Sequence, residues 1–165
     1  EELYFSDINI EIYKKINRKI RSTLVLASQY YNKDVLEGKT RGTYGIVESF
    51  IGVLDVQYRI KKGHTIKIEL QELLSEQGDG SWSMGLLEYT ISPNWFFAIQ
   101  DIYNWGNRDP KKQLHYANYD LGYVKGSTRI AVGYGKKRAG IFCVGGVCKE
   151  VPSSNGFNLS ISTSF

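Results

Sequence analysis

Cys143 and Cys148 are the two cysteines of the chain, and the four residues between them include Gly145-Gly146. That spacing, with two glycines at its middle, lets the segment fold back and close a small disulfide loop. An oxidising compartment favours the bond. In the entropic account, closing so short a loop contributes ~2–3 kcal/mol at most, so its expected use is to fix the shape of the loop tip. A metal site is the rival, but two thiols without a nearby histidine fall short of the usual four ligands. A redox-active pair is disfavoured because the spacing is not Cys-x-x-Cys. No metal and no cofactor is expected.

General acid–base chemistry usually recruits histidine, and this chain has two. His64 falls in a short turn. His115 falls at the end of a strand with Asp109 and Asp120 nearby in sequence. No serine is placed by motif to complete a triad. His115 reads as a solvated loop histidine, and no catalytic residue is expected.

The elements that must position these groups are strands. Period-2 alternation recurs along the chain, and no long 3.6-residue periodicity competes with it. It predicts strands over residues 7–16, 19–31, 46–60, 65–74, 81–92, 95–104, 115–124 and 128–135, and a last one after the loop 136–155. The phase slips near Leu86-Leu87, which predicts a bulge in the fifth.

Within each strand one face is apolar. The other carries Glu11, Lys15, Lys19, Arg21, Asp55, Arg59, Lys67, Glu69, Glu88, Asp120 and Arg129. The connections alternate short and long throughout. Asn17-Arg18, 61–64, 92–94 and 125–127 are short; 32–44, 75–80, 105–114 and 136–155 are long. Transmembrane barrels sort their loops in this way, and place an apolar face on lipid and a charged face on the lumen. Those eleven charges are therefore expected to line the lumen, and the cysteine loop to be extracellular. The turn of His64 is expected on the periplasmic side, away from the surface where an outer-membrane enzyme acts. Tyr30, Tyr58, Trp82, Trp95, Tyr123 and Tyr134 lie near strand ends, as interfacial girdles require.

Composition agrees. The 165 residues suit one domain, and no apolar run approaches the ~18 residues of a membrane helix. The net charge of +4 is scattered rather than gathered in a stripe, so no nucleic-acid partner is expected. No secretory leader is legible at the start, so the chain reads as a mature protein or a piece of one.

Nine strands do not close an antiparallel barrel, because the first and last would run parallel. Either residues 1–17 are not wall, which leaves eight strands, or residues 1–165 are the C-terminal part of a larger barrel. The second is preferred, since residues 7–31 make a convincing hairpin.

The last strand alternates Phe157, Leu159, Ile161 and Phe165 against Asn158, Ser160, Ser162 and Ser164. It resembles the C-terminal strand of bacterial outer-membrane barrels, where a terminal aromatic is part of the signal read by the barrel-assembly machinery. The run from Tyr134-Gly135-Lys136-Lys137-Arg138-Ala139-Gly140 through Cys143-Val144-Gly145-Gly146-Val147-Cys148-Lys149-Glu150-Val151-Pro152 resembles the C-terminus of a Bacteroidota outer-membrane β-barrel family of unknown function. The resemblance implies a bacterial outer-membrane location and a chain longer than nine strands. It transfers no catalytic residue.

The expectation is thus an all-β antiparallel transmembrane barrel, non-enzymatic. It would be a channel, or a structural or accessory subunit that meets lipid and other outer-membrane subunits. An outer-membrane hydrolase working at the extracellular rim and a soluble β-sheet interaction domain are the alternatives.

Overall fold

The computed structural model describes residues 4–40, 42–43, 45–145 and 147–164. Nine strands form one antiparallel sheet: β1 (Phe5–Lys15), β2 (Ile20–Asn32), β3 (Ile46–Lys61), β4 (His64–Leu74), β5 (Trp82–Ile91), β6 (Trp95–Tyr103), β7 (Asn118–Lys125), β8 (Thr128–Lys137) and β11 (Ser154–Thr163). Sequence neighbours pair throughout, and β11 pairs with β8. The sheet is not closed into a barrel, and β1 and β11 are its two edges. A separate hairpin, β9 (Gly140–Val144) and β10 (Val147–Val151), lies between β8 and β11 in the chain.

The expected loop 136–155 therefore contains two strands. Alternation runs through it as well: Phe142 and Val144 are buried, whereas Ile141 and Cys143 are exposed. Gly145, at φ +60°, supplies the left-handed backbone with which the chain leaves β9.

The expected bulge near Leu86-Leu87 is absent, since β5 pairs without interruption with both neighbours. Leu86 and Leu87 point to opposite faces: Leu86 is buried beneath the hairpin, and Leu87 is exposed on the other face, opposite Ile68 and Ile99. A register shift lies instead at the β3–β4 turn, between Arg59 and Lys61. The strand expected over 115–124 begins at Asn118; ahead of it His115 makes an isolated bridge to Tyr103.

The short connections gather at one end of the sheet and the long ones at the other, as the strand order requires. In the first long loop, Asn32 caps a single helical turn (Lys33–Leu36) by accepting from the amides of Asp34 and Val35. The buried Asp34 carboxylate accepts from Gly42 N at 2.7 Å and Gly45 N at 3.2 Å. The second and third long loops meet where Asn104 donates to Asp79 O at 3.0 Å and Arg108 to Glu76 O at 3.2 Å.

Register sorts the side chains into rows. On one face run Val56, Ile68, Leu87, Ile99, Tyr119, Tyr134 and Phe157, each opposite the next on successive strands. The adjacent row is Tyr58, Ile66, Tyr89, Phe97, Leu121, Val132 and Leu159. On the opposite face, here the inner one, Arg21, Gln57, Lys67, Glu88, Ala98, Asp120, Gly133 and Asn158 form the corresponding row. The buried core is on this inner face, under the hairpin: Leu86, Phe96, Ala98 and Ala131 pack with Phe142 and Val144.

Candidate functional site

The inner face over β5–β8 is built for the hairpin. Phe142 and Val144 enter an apolar seat made by β5, β6 and β8. The Phe96 ring fits because Gly122 lies beneath it and Gly145 beside it; a Cβ at either glycine would collide with the ring. Burial of this kind contributes roughly 1.5–3 kcal/mol for each large apolar side chain.

Polar contacts fix the hairpin's register on that seat. Gly145 N donates to Glu88 Oε2 at 2.8 Å, and Arg129 donates to Val144 O at 3.0 Å. The Arg129 guanidinium also lies 4.6 Å from the Phe96 ring centre, and Lys137 Nζ lies 4.1 Å from that of Phe142. Beneath, Lys137 pairs with Asp120 at 3.4 Å and donates to Asn158 Oδ1 at 3.1 Å. Asn118 donates to the other Asp120 oxygen. Gly133 makes the space for this group, since a Cβ there would strike both Asp120 and Asn158. Buried charges of this sort are tolerated only when paired and hydrogen-bonded.

Cys143 and Cys148 stand directly opposite each other in the β9–β10 ladder and form a disulfide. The bond staples the hairpin on the face opposite Phe142 and Val144, where Cys143 is exposed. The loop that carries it is folded onto the inner face and does not form a protruding tip. Its direction depends on a seat formed by strands dozens of residues away.

The other expected positions distribute as follows. Glu11, Lys15, Arg21, Asp55, Arg59, Lys67, Glu69, Glu88, Asp120 and Arg129 share the inner face by register, and Lys19 sits in the turn before β2. Lys67 bridges Asp55 at 3.2 Å and Glu69 at 2.7 Å. Glu11, Lys15, Lys19, Arg21 and Arg59 are exposed. The inner face is thus half covered: β5–β8 carry the hairpin, and β1–β4 lie open.

Trp82, expected at an interfacial girdle, is instead buried on the inner face, with Arg138 stacked 4.1 Å from its ring. Phe157, Leu159 and Ile161 are exposed on the outer face, and Phe165 lies outside the described residues.

The histidines lie outside this site. His115 Nδ1 is 2.7 Å from Asp101 Oδ2 and the ring stacks on Tyr103 at 4.0 Å. Its partner is Asp101 rather than Asp109 or Asp120; Asp109 caps a short 3₁₀ turn (Pro110–Lys112), and Asp120 is buried on the inner face. His64 Nδ1 is 2.6 Å from Tyr89 Oη. Among the described residues, no group of three His, Cys, Asp or Glu side chains could hold a metal ion.

Sequence reasoning missed Phe96, Phe142, Val144, Lys137, Asn118 and Asn158. A signal for the first three was present: an inner face expected to be polar also carries Trp82, Met84, Leu86, Phe96, Ala98 and Ala131. Apolar residues in that position require a cover.

These features define an all-β protein, an open antiparallel sheet of nine strands with a disulfide hairpin packed on its charged face. The chain belongs to a family of unknown function, DUF6029, whose sequence profile matches residues 1–165. No curated protein and no solved structure matches it.

Proposed function

We propose that this chain forms wall strands of a bacterial outer-membrane β-barrel, non-enzymatic, acting as a channel or as a structural or accessory subunit of an outer-membrane complex. In this reading the β9–β10 hairpin is an internal plug. The observation that carries it is the pair of apolar outer rows, which cross seven strands without a charge. Leu70 is 52% exposed, Val132 48% and Leu159 65%. In water an apolar surface this continuous drives association. In a bilayer it is the surface that a barrel presents to lipid.

Dimensions support the same reading. β4 to β8 run 11, 10, 9, 8 and 10 residues, against the ~9–11 that cross a bilayer at a tilt. Aromatic residues border the apolar rows toward the short turns, where Trp95 and Tyr123 pack 4.7 Å apart. Toward the long loops polar groups enter the outer face on β4–β6, with Ser83 donating to Glu72 and His115 paired to Asp101. No helix among the described residues is long and apolar enough to cross a membrane.

The edges favour a larger barrel. β1 and β11 point the same way, so an all-antiparallel ring takes an odd number of further strands between them. Unpaired backbone groups in hydrocarbon cost several kcal/mol each. Phe157, Leu159 and Ile161 are the described part of the surface we assign to recognition by the barrel-assembly machinery. The resemblance of residues 134–165 to a Bacteroidota outer-membrane family is what favours that taxon in this reading.

Fractionation tests the location. The full-length protein is expected in the membrane pellet after high-salt and urea washes, and to leave it only with detergent. Recovery in buffer alone would instead favour the soluble interaction domain.

A further inference from the structure

Phe142 and Val144 account for the apolar residues of β5, β6 and β8 on the inner face, but not for all of them. Ile51, Leu73 and Ile102 stand apart from that cluster and are half-buried. With Met84, Leu86 and Ile141 they line a cleft of about 340 Å³ between β3–β6 and the hairpin. Trp82 and Arg138, stacked on one another, line it too. Small-molecule sites span roughly 300–1,000 Å³ and combine an apolar lining with a few placed polar groups.

A neighbouring cavity of about 300 Å³ shares Gln100, Ile102, Arg138 and Ile141 with the first, so the two adjoin. It adds Lys136 and Lys137. One end of the combined space is therefore cationic. Away from that end the cleft is also lined by two carboxylates, and both have partners: Glu69 meets Lys67 and Gln71, and Glu72 accepts from Ser83. Gln100 sits where the cavities join; it is 7% exposed, and its carbonyl oxygen has no hydrogen-bond partner. A buried acceptor left unmade is costly. The soft terminal torsion of glutamine lets either amide atom turn to an incoming group.

We infer that this cleft binds an anionic amphiphile. Its apolar body lies along Ile51, Leu73 and Ile102, its neck exchanges a hydrogen bond with Gln100, and its anionic head meets Arg138 and Lys136. The ligand bridges the sheet and the hairpin, because Arg138 and Ile141 belong to the hairpin segment. The apolar and cationic groups assigned to the ligand come from the inner face of the sheet and from the hairpin segment, not from the outer rows.

N-dodecanoylglycine is the probe, with its methyl ester as the uncharged control. The full-length protein carrying Trp95→Phe and Trp105→Phe, held in lipid nanodiscs, leaves Trp82 as the reporter within the described chain. Binding is expected to change Trp82 emission saturably at one molecule per chain. The ester, Arg138→Gln and Gln100→Leu should each weaken it about tenfold, the scale of one hydrogen bond to a charged group. Arg138 is exposed, so its variant keeps the fold and the test remains readable if Gln100→Leu does not fold. A non-saturating response, or equal affinity for acid and ester together with no loss in Arg138→Gln, would overturn the site and leave partitioning into lipid only.

Discussion

Leu70→Arg and Val132→Arg are each expected to abolish membrane insertion, while Thr23→Arg inserts as the unmodified protein does. Leu70 and Val132 lie on the outer face near mid-strand, on β4 and β8, with apolar cross-strand neighbours Leu54 and Leu159. A lipid-facing arginine near the midplane costs ~2–4 kcal/mol. Neither residue has a carboxylate directly opposite to compensate. Thr23 belongs to the inner face and is paired with Asp55, so an arginine there gains a partner and stays in water. Ser160, also inward, is a poorer control because Asp120, Arg129 and Lys137 crowd the space around it. The membrane-inserted fraction after expression decides the matter. Equal losses at the three positions would contradict the face assignment.

Phe142→Ala is expected to release the hairpin while the sheet stays intact. The side chain is 8% exposed and fills the seat with Val144. Truncating a buried phenylalanine costs ~3–5 kcal/mol, and about 3 kcal/mol corresponds to a roughly hundredfold rise in the released population. The hairpin is the natural unit to open, because it is bonded to the sheet through few groups. Tryptic cleavage at Arg138 should accelerate, and conductance of the full-length protein across a planar bilayer should rise. Ile141→Ala, at a side chain 81% exposed, should change neither. Reduction of the Cys143–Cys148 bond should have a smaller effect than Phe142→Ala. The disulfide stiffens the hairpin from the face opposite Phe142, whereas Phe142 holds it down. Unchanged cleavage and conductance in Phe142→Ala would remove the hairpin's role as a plug.

The sheet was legible because two-sided strands write their faces into the sequence at a period of two. Ile66, Ile68 and Leu70 against Lys67, Glu69 and Gln71 admit one reading of β4, and register agrees with it. The alternation of short and long connections was legible for the same reason. The hairpin was legible in part: Val144-Gly145-Gly146-Val147 between alternating residues is a two-residue turn signal, and the cysteine pairing follows from it.

Its inward direction was not legible. That depends on Glu88, Arg129 and Phe96, which meet the segment only after four other strands are in place. The same blind spot turned Leu86 into evidence for a bulge and placed Trp82 at an interface. Leu86 looks out of phase and Trp82, near a strand end, looks interfacial for as long as the cover over the inner face is not known. The charge of Asp120 is legible and Asn118 is its i−2 neighbour on the same strand face, but Lys137 and Asn158 come from positions that no local pattern links to it.

The most direct test is cysteine labelling of the inserted protein with a membrane-impermeant maleimide. Single cysteines at Leu87, Leu121 and Val132 report on the outer rows, and single cysteines at Thr23 and Gln57 on the open half of the inner face. The native pair is already joined as a disulfide and does not compete. The outer positions should stay unlabelled until detergent is added and the inner ones should label through water. Ready labelling of Leu87, Leu121 and Val132 without detergent would contradict a lipid-facing sheet, and with it the barrel.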